Sequence, residues 1–168
     1  MKKPLFMSVF VAFMLFFCAN QVFAGDDKEN VKGPATVDLP SFTVKVPKGW
    51  QVARQGRDDC TLEPIVKPNI DGKSNFGWEV RIYALSGKYF KPEKFIETDL
   101  NIYNETKQMP ELKIGNTTFM YNFYDYEYGK HSLLAAALPS GGAVEITIGG
   151  YSVEDKEVKA ILKSLKLK

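Results

Sequence analysis

The sequence is poor in the residues that build metal centres and nucleophilic catalytic sites. Its 168 residues include one histidine, His131, and two cysteines, Cys18 and Cys60. Metals that prefer nitrogen or sulfur ligands need three or four such side chains in one place. The paired glycines do not open helices as phosphate loops do, and no nucleophile-elbow sequence is present. The composition therefore predicts no metal, no cofactor and no enzymatic activity.

The first residues of the chain predict where the protein is located. Lys2 and Lys3 precede an uncharged apolar run that ends in Val22-Phe23-Ala24, the pattern of a secretory signal peptide. We expect residues 1–24 to be removed and the domain to be secreted, to the periplasm or the extracellular space, as a soluble protein. Two alternatives are an uncleaved membrane anchor, since the run is about 20 residues long, and a lipoprotein modified at Cys18.

Without the leader, the charges balance and no disulfide can form within the chain. The full sequence has 22 Lys and Arg against 20 Asp and Glu, and two of the lysines belong to the leader. A chain with no net charge has no overall basic field to attract nucleic acid, so no nucleic-acid partner is expected. Cys60 has no second cysteine to pair with, and Asp59 and Glu63 disfavour its thiolate. A hydrophobic core must therefore provide the stability.

Residue periodicity predicts one strand-rich domain after a flexible segment. Residues 25–40 are rich in charge, glycine and proline, and we interpret them as flexible. The folded domain then occupies residues 41–168. Alternating apolar residues predict strands at Phe42–Val46, at Thr61–Val66 and from Phe76 to Ala84.

Two helices and an antiparallel meander are predicted for the rest of the chain. Pro92 marks the start of a helix that runs to about Thr106, and Ser152 with Asp155 resembles a capping box before a terminal helix. Three hairpin turns join the strands between these helices: Gly115-Asn116, Gly129-Lys130 and Pro139–Gly142. The strand Leu133–Leu138 is apolar on both faces, so each face of the sheet needs a cover. We expect an α+β domain, specifically an α/β/α sandwich with a central antiparallel sheet.

Three framework motifs resemble those of PsbP-like proteins. Ser41–Trp50 looks like their strand that leads into Pro-x-Gly-Trp, Phe90–Phe95 is similar to their Pro-Glu-x-Phe helix start, and Val158–Leu165 looks like their terminal helix. The resemblance spans residues 41–168. It implies the sandwich shared by the photosystem II extrinsic P subunit, a Ran-binding nuclear-import factor and many uncharacterised bacterial secreted proteins. Such relatives mostly bind or assist other proteins, and no matched residue carries the photosynthetic or Ran-binding function.

A row of tyrosines is the first candidate for a partner-binding surface. Tyr124, Tyr126 and Tyr128 fall on one face of a predicted strand. Exposed tyrosine gives a large contact area at low entropic cost, and the row can dock a protein segment or a small apolar ligand. The alternative is that a helix covers this face and only the hydroxyl groups reach water.

A row of lysines on the terminal helix is the second candidate. Lysines recur there at helical spacing: Lys156, Lys159, Lys163 and Lys166. They are either a solvated face that complements the helix dipole or a contact for an acidic partner or anionic lipid. Membrane contact is expected only through this face or through an uncleaved leader.

These features together predict a non-enzymatic binding or assembly-assisting module whose partner is another envelope or secreted protein. One alternative is a carrier that holds a small apolar ligand between sheet and helix. A second is a hydrolase that uses His131, which we expect at a hairpin end opposite Tyr128. A hydrolase needs a serine or threonine and a carboxylate brought to that histidine by the fold.

Overall fold

The computed structural model describes residues 31–68, 77–102, 106–126 and 129–168. Within these ranges the chain forms ten strands and two helices: β1 (Ala35–Asp38), β2 (Phe42–Val46), β3 (Trp50–Gln55), β4 (Asp59–Pro64), β5 (Glu79–Ser86), α1 (Pro92–Ile102), β6 (Lys107–Ile114), β7 (Thr117–Tyr126), β8 (Gly129–Ala137), β9 (Gly142–Gly149), α2 (Lys156–Ser164) and β10 (Lys166–Leu167). The fold is α+β and mainly antiparallel. The predicted signal peptide lies outside the described residues. Neither helix is long and apolar enough to cross a membrane.

The strands form two antiparallel sheets of unequal size. The large sheet has seven strands in the order β3-β4-β5-β9-β8-β7-β6, and the small sheet has three in the order β1-β2-β10. The predicted meander is confirmed, because β6 to β9 are consecutive neighbours. Pro110 lies in the edge strand β6, at a register shift between Met109 and Leu112. An edge strand tolerates proline because the missing N–H is not required by a further neighbour.

The small sheet and α2 cover one face of the large sheet. Phe42, Val44 and Val46 of β2 are at most 1% exposed and belong to one apolar cluster with the inner residues of the large sheet. Val158, Ile161 and Leu162 of α2 join the same cluster. Burial of one such side chain contributes about 1.5–3 kcal/mol, so this cluster is the main source of stability.

Helix α1 covers part of the opposite face. Ile96 packs against Leu133 and Ala135, whereas Leu134 and Ala136 point into the main cluster. The prediction that β8 is apolar on both faces because both are covered is therefore confirmed. The cover on the first face is largely a second sheet, which the sequence analysis did not predict.

Strand β1 shows that the predicted flexible segment is wrong for part of its length. Ala35–Asp38 pairs with β2, and Val37 and Leu39 are 4% and 6% exposed. The alternation of Val37 and Leu39 with polar residues is too short to predict a strand in a segment rich in charge, glycine and proline. The folded domain therefore begins before Ser41.

The start of the terminal helix differs from the prediction, whereas the predicted end of the first helix is not tested. Helix α1 is described as far as Ile102, and the remainder of its predicted length, residues 103–105, lies outside the described residues; β6 begins at Lys107 and pairs with β7. Helix α2 has Asp155 as its N-cap. The predicted pair still meets, since the Ser152 N–H donates to the Asp155 carboxylate at 2.7 Å, but it does so in the turn before the helix.

The role of β1 predicts a stability effect at Leu39. Leu39→Ala should lower the free energy of unfolding by about 2–5 kcal/mol, because it removes apolar contacts and leaves a cavity. Urea denaturation measures the change, and Thr36→Ala, at an exposed position of β1, is the matched control. If Leu39→Ala changes stability no more than the control, Leu39, the residue after β1, does not contribute to the core.

Candidate binding groove and polar cluster

Tyr124 does not present an exposed aromatic surface. Its side chain is 3% exposed, and its ring stacks on the His131 ring with centroids 4.4 Å apart. The prediction of an exposed contact is therefore wrong for Tyr124, and the covered alternative describes it better. The side chain of Tyr126 and the whole of Tyr128 lie outside the described residues.

The pairing of β7 with β8 differs from the predicted hairpin. Gly129 and Lys130 lie inside β8, opposite Tyr126 and Asp125, and His131 lies opposite Tyr124 rather than Tyr128. The prediction that Gly129-Lys130 forms the turn is wrong. The partner of His131 moves by an even number of residues, so every side chain keeps its face. The sequence therefore predicted correctly which face of the sheet each side chain occupies, although it predicted the wrong register between β7 and β8.

The neighbouring strand β9 does not place a hydroxyl and a carboxyl group directly beside His131. Burial lowers the pKa of His131 to about 4, and its Nδ1 atom has no hydrogen-bond partner in the described structure. On its face of the sheet, Thr147 lies beside Leu133 and Glu145 beside Ala135, roughly 7 and 13 Å further along the strand. This arrangement gives no support to His131 as a general base.

The buried carboxyl group of Asp99 belongs to a polar cluster that holds α1 on the sheet. Asn122, which is 0% exposed, donates through Nδ2 to the Asp99 carboxylate and to the Ile96 carbonyl, each at 3.1 Å. Burial raises the pKa of Asp99, and the Asn122 hydrogen bond opposes this shift. These contacts position the helix.

Glu145 extends the same cluster across the sheet. Burial raises the pKa of Glu145, and the nearby charge of Asp99 acts in the same direction, while Thr147 and Arg81 oppose it. No group of three or more His, Cys, Asp or Glu side chains in the described ranges is arranged to hold a metal ion. The hydrogen bonds of Asn122 within the cluster connect helix α1 to the sheet.

The Cys60 thiol is buried in the core, where its thiolate is disfavoured. It is 0% exposed, and burial, assisted by the charge of Asp59, raises its pKa to about 12. Both effects disfavour the thiolate, and the Asp59 contribution agrees with the sequence analysis. Glu63, the other expected contributor, instead interacts with Gln51 and Lys67.

An open groove lies on the outer side of the small sheet, where α2 runs beside β2. Its volume is about 380 Å³, and its lining residues are Pro34, Ala35, Thr36, Lys45, Val46, Pro47, Ala160 and Ser164. The Lys45 backbone N–H donates to Ser164 Oγ at 2.9 Å, and Ser164 Oγ donates to the Ile161 carbonyl at 2.7 Å. These bonds fix the end of the helix beside the strand. Ala160 leaves the space open because its side chain is small.

Lysines surround this groove. Lys156 and Lys163 are exposed and lie one helical turn before and after Ala160, on the same helix face. Lys156, Lys163 and Lys45 place three positive charges near the groove, against the one negative charge of Glu157 on the same helix face. None of the three lysines forms an ion pair with the described residues.

The other two predicted lysines are placed differently. Lys159 forms an ion pair with Glu154, and Lys166 lies in β10 rather than on the helix. The predicted row is thus divided, and Lys156 and Lys163 are the members that flank the groove. Sequence analysis missed the groove itself because Pro34, Ala35 and Thr36 fell in the segment interpreted as flexible.

The comparisons with known proteins do not assign a family. No protein-family model matches the chain, and no curated protein matches it. A crystal structure from Bacteroides thetaiotaomicron VPI-5482 is similar to it, with 17% sequence identity and a TM-score of 0.40. The match covers 76% of this chain and 45% of that one, so the matched part is less than half of the Bacteroides chain.

The buried histidine predicts a loss of stability in mild acid. The pKa of His131 is about 4 when folded against an ordinary value of 6.5, so between these values the unfolded chain binds the extra proton. Stability is therefore fully present above pH 6.5 and falls as the pH drops toward 4. The loss at pH 5 should be about 1–2 kcal/mol, since partial solvent access reduces the effect.

Urea denaturation at pH 7 and pH 5 measures this loss, with His131→Gln as the control. Asp99 and Glu145 act in the opposite sense because their pKa values are raised, so the histidine contribution is the difference between wild type and variant. If the two proteins lose the same stability between these pH values, His131 is not responsible.

Proposed function

We propose that the protein is an extracytoplasmic, non-enzymatic module that binds or helps to assemble another envelope or secreted protein. The secretory pattern of residues 1–24 supports the location. The placement of α1 and α2 against different faces of the sheets supports the PsbP-like α/β/α sandwich that the three sequence motifs imply. The use of Asp99, Asn122 and Cys60 in cohesion supports a role without catalysis.

The observation that carries the proposal is the groove between the small sheet and α2. Its lining includes Lys45 and is apolar at Pro34, Val46 and Pro47. Lys156 and Lys163 lie one helical turn before and after Ala160. A partner segment that fits both properties places an apolar side chain in the groove and carboxylates near Lys45 and Lys163. The proposed occupant is therefore an acidic segment of another protein that carries one large apolar residue.

The shape of the groove favours a protein segment over a small molecule. Four of its eight lining residues are exposed: Pro34, Thr36, Lys45 and Ala160. Small-molecule pockets have volumes of about 300–1,000 Å³ and enclose some 70–90% of their ligand. A groove of about 380 Å³ with so open a lining gives less enclosure than a carrier needs.

Reversal of the groove charges should weaken partner binding. Lys45→Glu with Lys163→Glu is expected to reduce binding of an acidic peptide with a central Leu or Phe by about tenfold, which corresponds to about 1.4 kcal/mol. Exposed ion pairs each contribute up to about 1 kcal/mol and reversal adds repulsion. Fluorescence anisotropy measures the peptide affinity, and Lys107→Glu with Lys113→Glu, in the distant strand β6, is the matched control.

A steric variant tests the same groove without a change of charge. Ala160→Phe should fill the space and abolish a crosslink formed in the native envelope from a photoreactive residue at position 36, whereas Ala53→Phe in the exposed part of β3 should leave it intact. If neither Ala160→Phe nor Lys45→Glu with Lys163→Glu reduces the crosslink, the proposal is contradicted. A small molecule retained in native mass spectrometry would favour the carrier instead.

A further inference from the structure

The loop between β5 and α1 exposes two consecutive aromatic side chains. Tyr89 is 82% exposed and Phe90 is 41% exposed. Single exposed apolar residues are common on soluble proteins. Here two aromatic residues share one short loop, which we call the aromatic loop (residues 87–91), and none of its residues lines the groove. Neither the core nor the proposed function accounts for this exposure.

The loop is held in place rather than loosely extended. The Gly87 N–H donates to the Gly141 carbonyl at 3.3 Å, and the Phe90 N–H donates to the Gly87 carbonyl at 3.0 Å. Gly87 has φ of +122°, a backbone conformation that side-chain-bearing residues rarely adopt. Pro92 then begins α1. The aromatic rings are thus presented on a formed turn, which lowers the entropic cost of binding through them.

Cationic side chains accompany the aromatic rings. Lys88 Nζ lies 5.4 Å from the centroid of the Tyr89 ring, and Lys91 is exposed on the other side of Phe90. The register of the strands brings two further cations to the same end of the large sheet: Arg57 in the β3–β4 turn and Lys113 before the β6–β7 turn. Asp58, an acidic residue in the same β3–β4 turn as Arg57, accepts hydrogen bonds from the Ser41 N–H and hydroxyl groups.

We propose that the aromatic loop binds the surface of an anionic phospholipid bilayer. Tyrosine and phenylalanine enter the boundary between headgroups and acyl chains, while Lys88 and Lys91 approach the phosphates. Each lysine near an anionic surface strengthens binding about fivefold. Because Tyr89 is 82% exposed, it lacks the enclosed setting of a protein–protein hot spot, whereas a bilayer can close around it.

Vesicle co-sedimentation tests this proposal. The protein is purified as the expected mature chain, from Gly25 onward. It should sediment with phosphatidylcholine vesicles that contain phosphatidylglycerol, and at least tenfold less with phosphatidylcholine alone. High salt should weaken binding, because it screens exposed charges. Tyr89→Ser with Phe90→Ser should lose tenfold or more of the binding, and Lys88→Glu with Lys91→Glu should do the same.

Two matched controls assign the effect to this loop. Ile65→Ser with Val66→Ser changes another apolar pair, 43% and 83% exposed, near the opposite end of the large sheet, and should leave binding unchanged. Lys156→Glu with Lys163→Glu should also retain it. The proposal is overturned if wild type fails to bind anionic vesicles, if the aromatic variant binds like wild type, or if the α2 variant is the one that loses binding. Circular dichroism melting checks that each variant is folded.

Discussion

The packing of β2 against the apolar face of the seven-stranded sheet is the contact on which the rest of the structure depends. Phe42, Val44 and Val46 are almost fully buried there, and β1 and β10 pair with the two edges of β2. The first and last described strands therefore belong to one small sheet, beside which the Lys168 N–H donates to the Ser41 carbonyl at 2.9 Å. Helix α2 reaches its place as the segment that leads into β10. The groove exists because this helix and β2 lie side by side.

The opposite face of the large sheet shows why titratable residues need not indicate chemistry. Asn122 joins Asp99 and the backbone of α1 to β7, and Glu145 lies beneath the same region. Burial raises the pKa of both carboxyl groups, as it does in many active sites. Here the hydrogen bonds connect helix to sheet. The perturbed pKa values are the cost of placing a polar contact between two packed layers.

The groove and the aromatic loop occupy different surfaces and suit different partners. The groove, lined by Lys45 and Ala160 among others, combines apolar contact with positive charge on a recessed site. The loop projects Tyr89 and Phe90 from an end of the large sheet. A module that met a bilayer through the loop would keep the groove free for an acidic protein segment. The two proposals therefore fit one role, in which a partner is bound close to a membrane surface.

Local patterns in the sequence determined most of the strands, both helices and the apolar character of each face of β8, because each depends on neighbours within a few residues. Tertiary structure alone decided that Val37 and Leu39 join the core, that His131 stacks on Tyr124, and that a second sheet covers the first. Strand register and sheet order are set by burial between segments distant in the chain, and a period of two predicts the face of a side chain but not its partner. The groove could not be predicted from the sequence for the same reason, because the residues of the small sheet and of α2 that line it are far apart in the chain.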